Sequence, residues 1–237
     1  MVPGTKRFRV PRGVTGYPRR AHGGYVAGSL ALSLGRPAEV TLKAPVPVGR
    51  DLVVATTARD RVTLSDGEAV LASAVPGDVE QEPPPPVSPR EAREASRQYL
   101  GLRWHPYPWC FVCGPRKREG QGLRVFAGPV DGSVRVAATW IPTVPIPMDD
   151  PGSLLAWCAL DCPGAWALWE TGSIPSESRL VTRRLAVQVV RPVRPGAPHV
   201  VVAEPRSHRG RLFVVAGAIY LDSGELVARA QATWFRP

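Results

Sequence analysis

Val40–Gly49 reads VTLKAPVPVG, and Val187–Gly196 reads VQVVRPVRPG. Both alternate apolar residues, pass through a Pro-Val step and end on glycine: Pro45, Val46 and Gly49 against Pro192, Val193 and Gly196. Each is followed by a β-rich run, Leu52-Val53-Val54 and Val200-Val201-Val202. Further on, Asp66-Gly67-Glu68 opens AVLASA, and Ser223-Gly224-Glu225 opens LVARAQATW. Alternation bounded by turn residues predicts strands, and glycine at the turns permits the positive φ of tight hairpins. The chain therefore repeats one pattern, with a longer central hairpin in the second copy around Glu204–Leu212.

Ahead of each strand set lies an apolar stretch: GYVAGSLALSL from Gly24 to Leu34, and GSLLAWCALDCPGAWALW from Gly152 to Trp169. A helix that is apolar on nearly all faces must be buried, and a curved antiparallel sheet around one helix satisfies that demand. Each half then reads as strand, buried helix and hairpin-joined strands, an α+β layout. Between the halves, Pro83-Pro84-Pro85-Pro86, continuing to Pro89, cannot extend a helix or a sheet ladder. The proline-free Glu91–Leu100 predicts a short helix after it. The expected organisation is a first unit over 1–82, a proline-rich and helical linker over 83–103, and a second unit over 104–237.

The chain has 237 residues, 44% hydrophobic and 21% charged, which excludes a disordered chain. No apolar run reaches a membrane span, and the basic start MVPGTKRFRV has no apolar core after it, so neither a membrane anchor nor a secretory signal is expected. The four cysteines, Cys110, Cys113, Cys158 and Cys162, are too sparse for a disulfide scaffold. Reduced thiols in a cytoplasmic protein are the expectation. The net charge of +10 would attract phosphate-bearing partners. The arginines are scattered, without an aromatic-interleaved basic tract or a zinc-finger motif, so no nucleic-acid partner is expected.

These residues resemble the hotdog superfamily of thioesterases and dehydratases over nearly the whole chain. His22-Gly23-Gly24-Tyr25 is similar to the helix start of many acyl-CoA thioesterases. Cys110-Phe111-Val112-Cys113-Gly114, followed by Gly122-Leu123-Arg124-Val125-Phe126, resembles the CFxCG…GLxLxF opening of phenylacetate-type thioesterases. The segment carrying Leu160-Asp161 resembles their catalytic helix. Two such units resemble a tandem (double) hotdog. The resemblance implies that the units pair through one continuous sheet, that the site lies at their interface, and that chains assemble further into a homodimer.

Asp161 is the first candidate for catalysis, because it is the only charged side chain from Gly152 to Leu168. A lone carboxylate in apolar surroundings is costly unless bonded or functional, and its raised pKa suits a general base. The structural alternative is that Pro163 opens a new helical segment with Asp161 serving its start. Aligning Gly24 with Gly152 sets Ser33 opposite Asp161, so one working site per chain is expected. Amides at His22-Gly23-Gly24 can hold a thioester's developing charge at a helix N-terminus; alternatively, the glycines make a tight turn and His22 caps it. Tyr25 and Trp157 are candidate substrate contacts. Arg183, Arg184 and Arg191 either meet coenzyme A phosphates or sit on the surface. His105, Cys110 and Cys113 have ligand-like spacing, but a second pair is missing; four cysteines could converge, yet a packed turn without metal is the expectation.

The expected function is hydrolysis of an acyl-CoA-type thioester, with coenzyme A entering as part of the substrate and no further cofactor. The alternatives are a hotdog hydratase or dehydratase and a non-catalytic acyl-CoA binder.

Overall fold

Alternating strands and two wholly apolar stretches leave few ways to bury what must be buried, and the chain solves this with one sheet and helices on it. The computed structural model describes residues 4–57, 60–144, 150–176 and 178–237. The first half holds β1 (Thr5–Phe8), α1 (Gly23–Leu34), β2 (Ala38–Leu42), β3 (Leu52–Thr57), β4 (Arg61–Asp66) and β5 (Ala69–Pro76). Next come α2 (Pro89–Gln98), β6 (Gly128–Pro129), β7 (Val136–Trp140), α3 (Pro151–Ala159) and α4 (Cys162–Glu170). Four long strands end the chain: β8 (Val181–Val189), β9 (His199–Arg209), β10 (Leu212–Leu221) and β11 (Leu226–Phe235).

All these strands join one antiparallel sheet in the order β1-β3-β4-β5-β2-β8-β11-β10-β9-β7-β6. The halves meet at β2 and β8 through three residue pairs, Glu39 with Ala186, Val40 with Leu185 and Thr41 with Arg184. Outward from that seam the order is 2-5-4-3-1 on one side and 8-11-10-9-7-6 on the other. The strands expected from VTLKAPVPVG and VQVVRPVRPG contribute to β2 and β8 and lie side by side.

Helices α3 and α4 are buried along nearly their whole lengths, and α1 from Gly24 to Ala31, as their apolar content demands. Helix α1 crosses α3 at main-chain distance. A Cβ on Gly28 would lie 2.6 Å from Leu154 Cδ1 and 2.7 Å from Trp157 Cβ. One on Gly24 would press on the Trp157 carbonyl and come within 2.9 Å of Asp161 Cβ and 3.0 Å of Cys158 Cα. Only a residue without a side chain lets the helices approach so closely.

Two expectations need correction. Gly152–Trp169 is two helices, because α3 ends at Ala159 and α4 restarts at Cys162 with Pro163 in its first turn. Proline lacks the N–H that would continue the first helix and is suited to opening the second. The helix expected over Glu91–Leu100 begins earlier, with Pro89 in its first turn and Ser88 as cap; Ser88 Oγ accepts the Glu91 N–H (3.2 Å) and Glu91 Oε2 accepts the Ser88 N–H (3.1 Å).

The proline-rich stretch is not a free spacer. Tyr220 Oη donates to the Pro84 carbonyl (2.6 Å), and Arg135 Nη1 to that of Pro85 (3.0 Å). Val87, Ala92 and Ala95 then pack on Val200, Val202 and Tyr220. The intervening Val201 and Ile219 point into the main core. Successive strand residues face opposite sides, so α2 and the prolines cover the face turned away from the main core.

Candidate functional site at the head of helix α1

The α3–α4 break positions the one charged group of that segment. Asp161 stands at the N-cap position of α4, yet its side chain makes no cap bond there. It reaches across to the other half instead. Oδ2 accepts the Gly24 N–H at 2.7 Å, Oδ1 accepts the Thr182 hydroxyl at 2.7 Å, and His22 Nε2 lies 3.5 Å from Oδ2. The new helical segment thus forms as the structural alternative required, but the Asp161 side chain does not cap it. The carboxyl is 2% exposed. Burial pushes it above the usual carboxylate range; His22, the Thr182 hydroxyl and the Gly24 amide hold it back.

Two clefts meet at this point. One is lined by Asp161, Gly23 and Thr182 at its head and by Tyr17, Leu180, Trp166, Trp169 and Trp234 along its walls. Trp234 Nε1, a buried donor, has no hydrogen-bond partner among the described residues. The other cleft shares Tyr17, Gly23 and Thr182 and runs out past Leu42 to the exposed Lys43.

His22, Gly23, Gly24 and Asp161 come together, although 137 residues separate Gly24 from Asp161. The two glycine amides are not equivalent. The Gly24 N–H is committed to Asp161, whereas the Gly23 N–H has no hydrogen-bond partner among the described residues. His22 is both cap and cluster member: Nδ1 accepts the Tyr25 N–H at 3.4 Å, and Nε2 lies 3.2 Å from Cys162 Sγ. Tyr25 and Trp157 do not line the cleft headed by Asp161. Trp157 is turned along α1 against Gly28 and lines a separate cleft at the far end of the helix pair, beside Ala31, Ser153 and Val187. Ser33, opposite Asp161 in the repeat, donates to the Ser29 carbonyl (2.8 Å). Arg183 donates to the Leu42 carbonyl (2.9 Å), while Arg184 and Arg191 pair with Glu39 (3.5 Å) and Glu225 (3.1 Å) near the surface.

The cysteines arrange themselves unexpectedly. His105 does not complete a site with Cys110: its Nδ1 accepts the Tyr107 N–H (2.9 Å) and its Nε2 donates to the Cys113 carbonyl (3.2 Å). Cys110 instead meets Cys162 across 3.7 Å, beside His22. Its thiol is held well below the ordinary value by the Cys113 and Cys162 thiols, against the effect of burial. The turn carrying it is tied to both halves, since the Phe111 N–H donates to the Thr15 carbonyl (2.7 Å) and the Leu123 N–H to that of Phe111 (2.8 Å).

Thr182 escapes a reading of the sequence. It is one hydroxyl residue on a strand, and its only local signal is a polar residue beside Leu180-Val181 at the start of β8.

No family model matches the sequence, and no curated protein matches it. Solved structures do resemble the fold. A tesB protein of Mycobacterium avium subspecies paratuberculosis superposes with a TM-score of 0.63 at 15% identity, covering 98% of this chain and 92% of that one. An acyl-CoA thioesterase II, TesB2, of Mycobacterium marinum gives 0.58 at 16% identity, over 98% and 93%. The dehydratase domain of PpsC from Mycobacterium tuberculosis, solved with C12:1-CoA, gives 0.62 at 14% identity, over 98% and 93%. At such identities the likeness speaks for architecture: this chain has the hotdog fold, arranged as in TesB-type thioesterase structures.

Proposed function

We propose that the chain hydrolyses acyl-CoA-type thioesters where Gly23 meets Asp161. The observation that carries this reading is the Asp161 carboxylate, buried and aimed by the Gly24 N–H and the Thr182 hydroxyl at the head of an apolar cleft. Each carboxylate oxygen keeps a free lone pair for a water. Asp161 takes a proton from that water as its oxygen adds to the thioester carbon, and the Gly23 N–H stabilises the carbonyl oxygen's developing charge. The C–S bond then breaks, and the leaving thiolate takes the proton back from Asp161. The tryptophan-lined cleft suits the acyl chain. The second cleft, with Lys43, suits the polar carrier.

Under the same reading, the halves flanking the β2–β8 seam are two hotdog units, 1–82 and 104–237, with 83–103 strapped to the second. The matching strand order on either side supports this. The cleft at the far end of α1 is lined by Ser153 and Trp157 without a carboxylate, which supports one working site per chain.

A second reading, hydration or dehydration of an acyl-CoA, is favoured by one observation, His22 Nε2 at 3.5 Å from Asp161 Oδ2. One experiment separates them. The chain is incubated with straight-chain and aromatic acyl-CoAs, and with an enoyl-CoA, and the products are separated by chromatography. Free acid and coenzyme A, lost in Asp161→Asn, are the expected result. Hydration of the enoyl-CoA without acid release would replace the hydrolase reading by the second one. Saturable binding without any product would make the protein a carrier.

A further inference from the structure

A cluster of cysteine and histidine groups converges in this region in a way that hydrolysis does not use. Cys110 Sγ, Cys162 Sγ and His22 Nε2 all lie within 4.8 Å of one another. They come from three separate places: the turn at 110–114, the start of α4 and the cap of α1. All three residues are at least nine-tenths buried. Cys113, on the same turn as Cys110, stands outside this group, its thiol 3.4 Å from His105 Nε2.

We propose that Cys110, Cys162 and His22 hold one zinc(II) ion. Zinc binds thiolate at about 2.3 Å and imidazole at about 2.0 Å in a tetrahedron, so bound sulfurs stand roughly 3.8 Å apart and a nitrogen roughly 3.5 Å from a sulfur. The two separations seen are 3.7 Å for the sulfurs and 3.2 Å for His22 Nε2 and Cys162 Sγ. The sulfur spacing is far from the roughly 2.05 Å of a disulfide. The CxxC turn supplies one ligand, Cys110, and the others are Cys162 and a histidine far back in the sequence. With Nε2 on the metal the ring proton moves to Nδ1, and the 3.4 Å bond from the Tyr25 N–H is given up.

Three protein ligands drawn from three separate segments make the ion a clamp between them. Its task is visible in the backbone. Residues 103–127 form no helix or strand, yet Cys110, Phe111, Val112, Leu123 and Val125 are buried within them. A metal that joins this loop to α1 and α4 supplies the order that regular hydrogen bonding does not. It also occupies His22 Nε2, which removes the group on which the dehydratase reading depends.

The test is metal content and ligand type in the full chain, purified without chelator from zinc-replete cells. About one zinc per chain is expected by mass spectrometry, and cobalt(II) exchanged into the site should show thiolate charge-transfer and tetrahedral ligand-field bands. Zinc X-ray absorption should find a mixed shell, with sulfur near ~2.3 Å and imidazole nitrogen near ~2.0 Å. Cys110→Ser and Cys162→Ser should each drop the content below about a tenth of an ion, while Cys158→Ser keeps it near one. The cobalt and X-ray readings need no variant, so misfolding of a serine variant leaves the proposal testable. Folded chain that carries no zinc and takes up neither metal after reduction overturns it. So does a shell of nitrogen and oxygen alone, loss of metal in Cys158→Ser, or a Cys110–Cys162 disulfide in the purified protein. None of these readings depends on thioester turnover, so the hydrolase reading stands or falls separately.

Discussion

Asp161 Oδ2 lies 2.7 Å from the backbone nitrogen of Gly24, a carboxylate from one half of the chain seated on the first turn of the other half's helix. The position has a physical logic. Exposed N–H groups at a helix start favour a negative charge, and a buried carboxylate needs donors. The isosteric substitution Asp161→Asn keeps the volume and one acceptor but removes the proposed base. It should lower kcat for thioester hydrolysis by about 10²–10⁴-fold. The variant's thermal midpoint should stay within a few degrees of the parent, as read by calorimetry. Unchanged turnover would remove Asp161 from the mechanism.

Thr182 holds the other oxygen. Thr182→Val preserves shape and deletes the hydroxyl, leaving Asp161 Oδ1 short of a buried donor, a loss of roughly 1–3 kcal/mol. We expect kcat to fall with KM little changed, and Thr182→Ser to recover most of it. Steady-state kinetics on the three proteins decides this. A valine variant as active as the parent, with the loss in the serine variant instead, would mean that the methyl group, not the hydroxyl, matters.

Gly23 and Gly24 separate function from folding. A methyl group on Gly24 meets the Trp157 carbonyl and the Cys158 Cα, both backbone, so Gly24→Ala should cost about 1–3 kcal/mol of stability. On Gly23 it meets only side chains: Asp161 Oδ2 at 2.9 Å, Leu42 Cδ1 at 3.1 Å and Thr182 Oγ1 at 3.3 Å. These can yield by displacing the carboxylate. Gly23→Ala should therefore keep a near-parental denaturation midpoint and lose turnover. The opposite ranking in urea titrations would refute the packing argument.

What can be read in the residues follows from how local the signal is. Two apolar stretches leave burial as the only outcome, and the paired Pro-Val-Gly patterns bring β2 and β8 into view from sequence alone. The Asp161–Gly24 and Asp161–Thr182 bonds are half legible. The isolated acid and the glycine pair stand out, but nothing local marks Thr182 among the other threonines. The division of labour between Gly23 and Gly24 depends on helix crossing at Gly28, a packing effect without a composition signal. The convergence of Cys110 with Cys162 and His22 is least legible, because it is fixed by where three distant segments end. The misplaced start of α2 has a plain cause. Proline reads as a helix breaker, yet in the first turn its missing N–H costs nothing.

The strap over the second half should contribute measurably to stability. Ser88→Ala removes the capping pair with Glu91 and should cost about 1 kcal/mol. Tyr220→Phe strands the Pro84 carbonyl and should cost a similar amount, roughly 0.5–1.5 kcal/mol. Because the two sites lie on one continuous packed face, protease cleavage within 83–88 should accelerate in both variants. No change in cleavage would show the strap to be held by its apolar contacts alone.

The backbone contact between α1 and α3 carries a last consequence. Gly24 and Gly28 bring main chain and Cβ atoms to rest on one another, so the distance from Asp161 to its amide donor is set by rigid stops, not by flexible side chains that can breathe. Such a joint has no half-open state. Heating should leave it intact until the helices part, and then the buried carboxylate, its donors and the core between the halves should be lost in a single cooperative step.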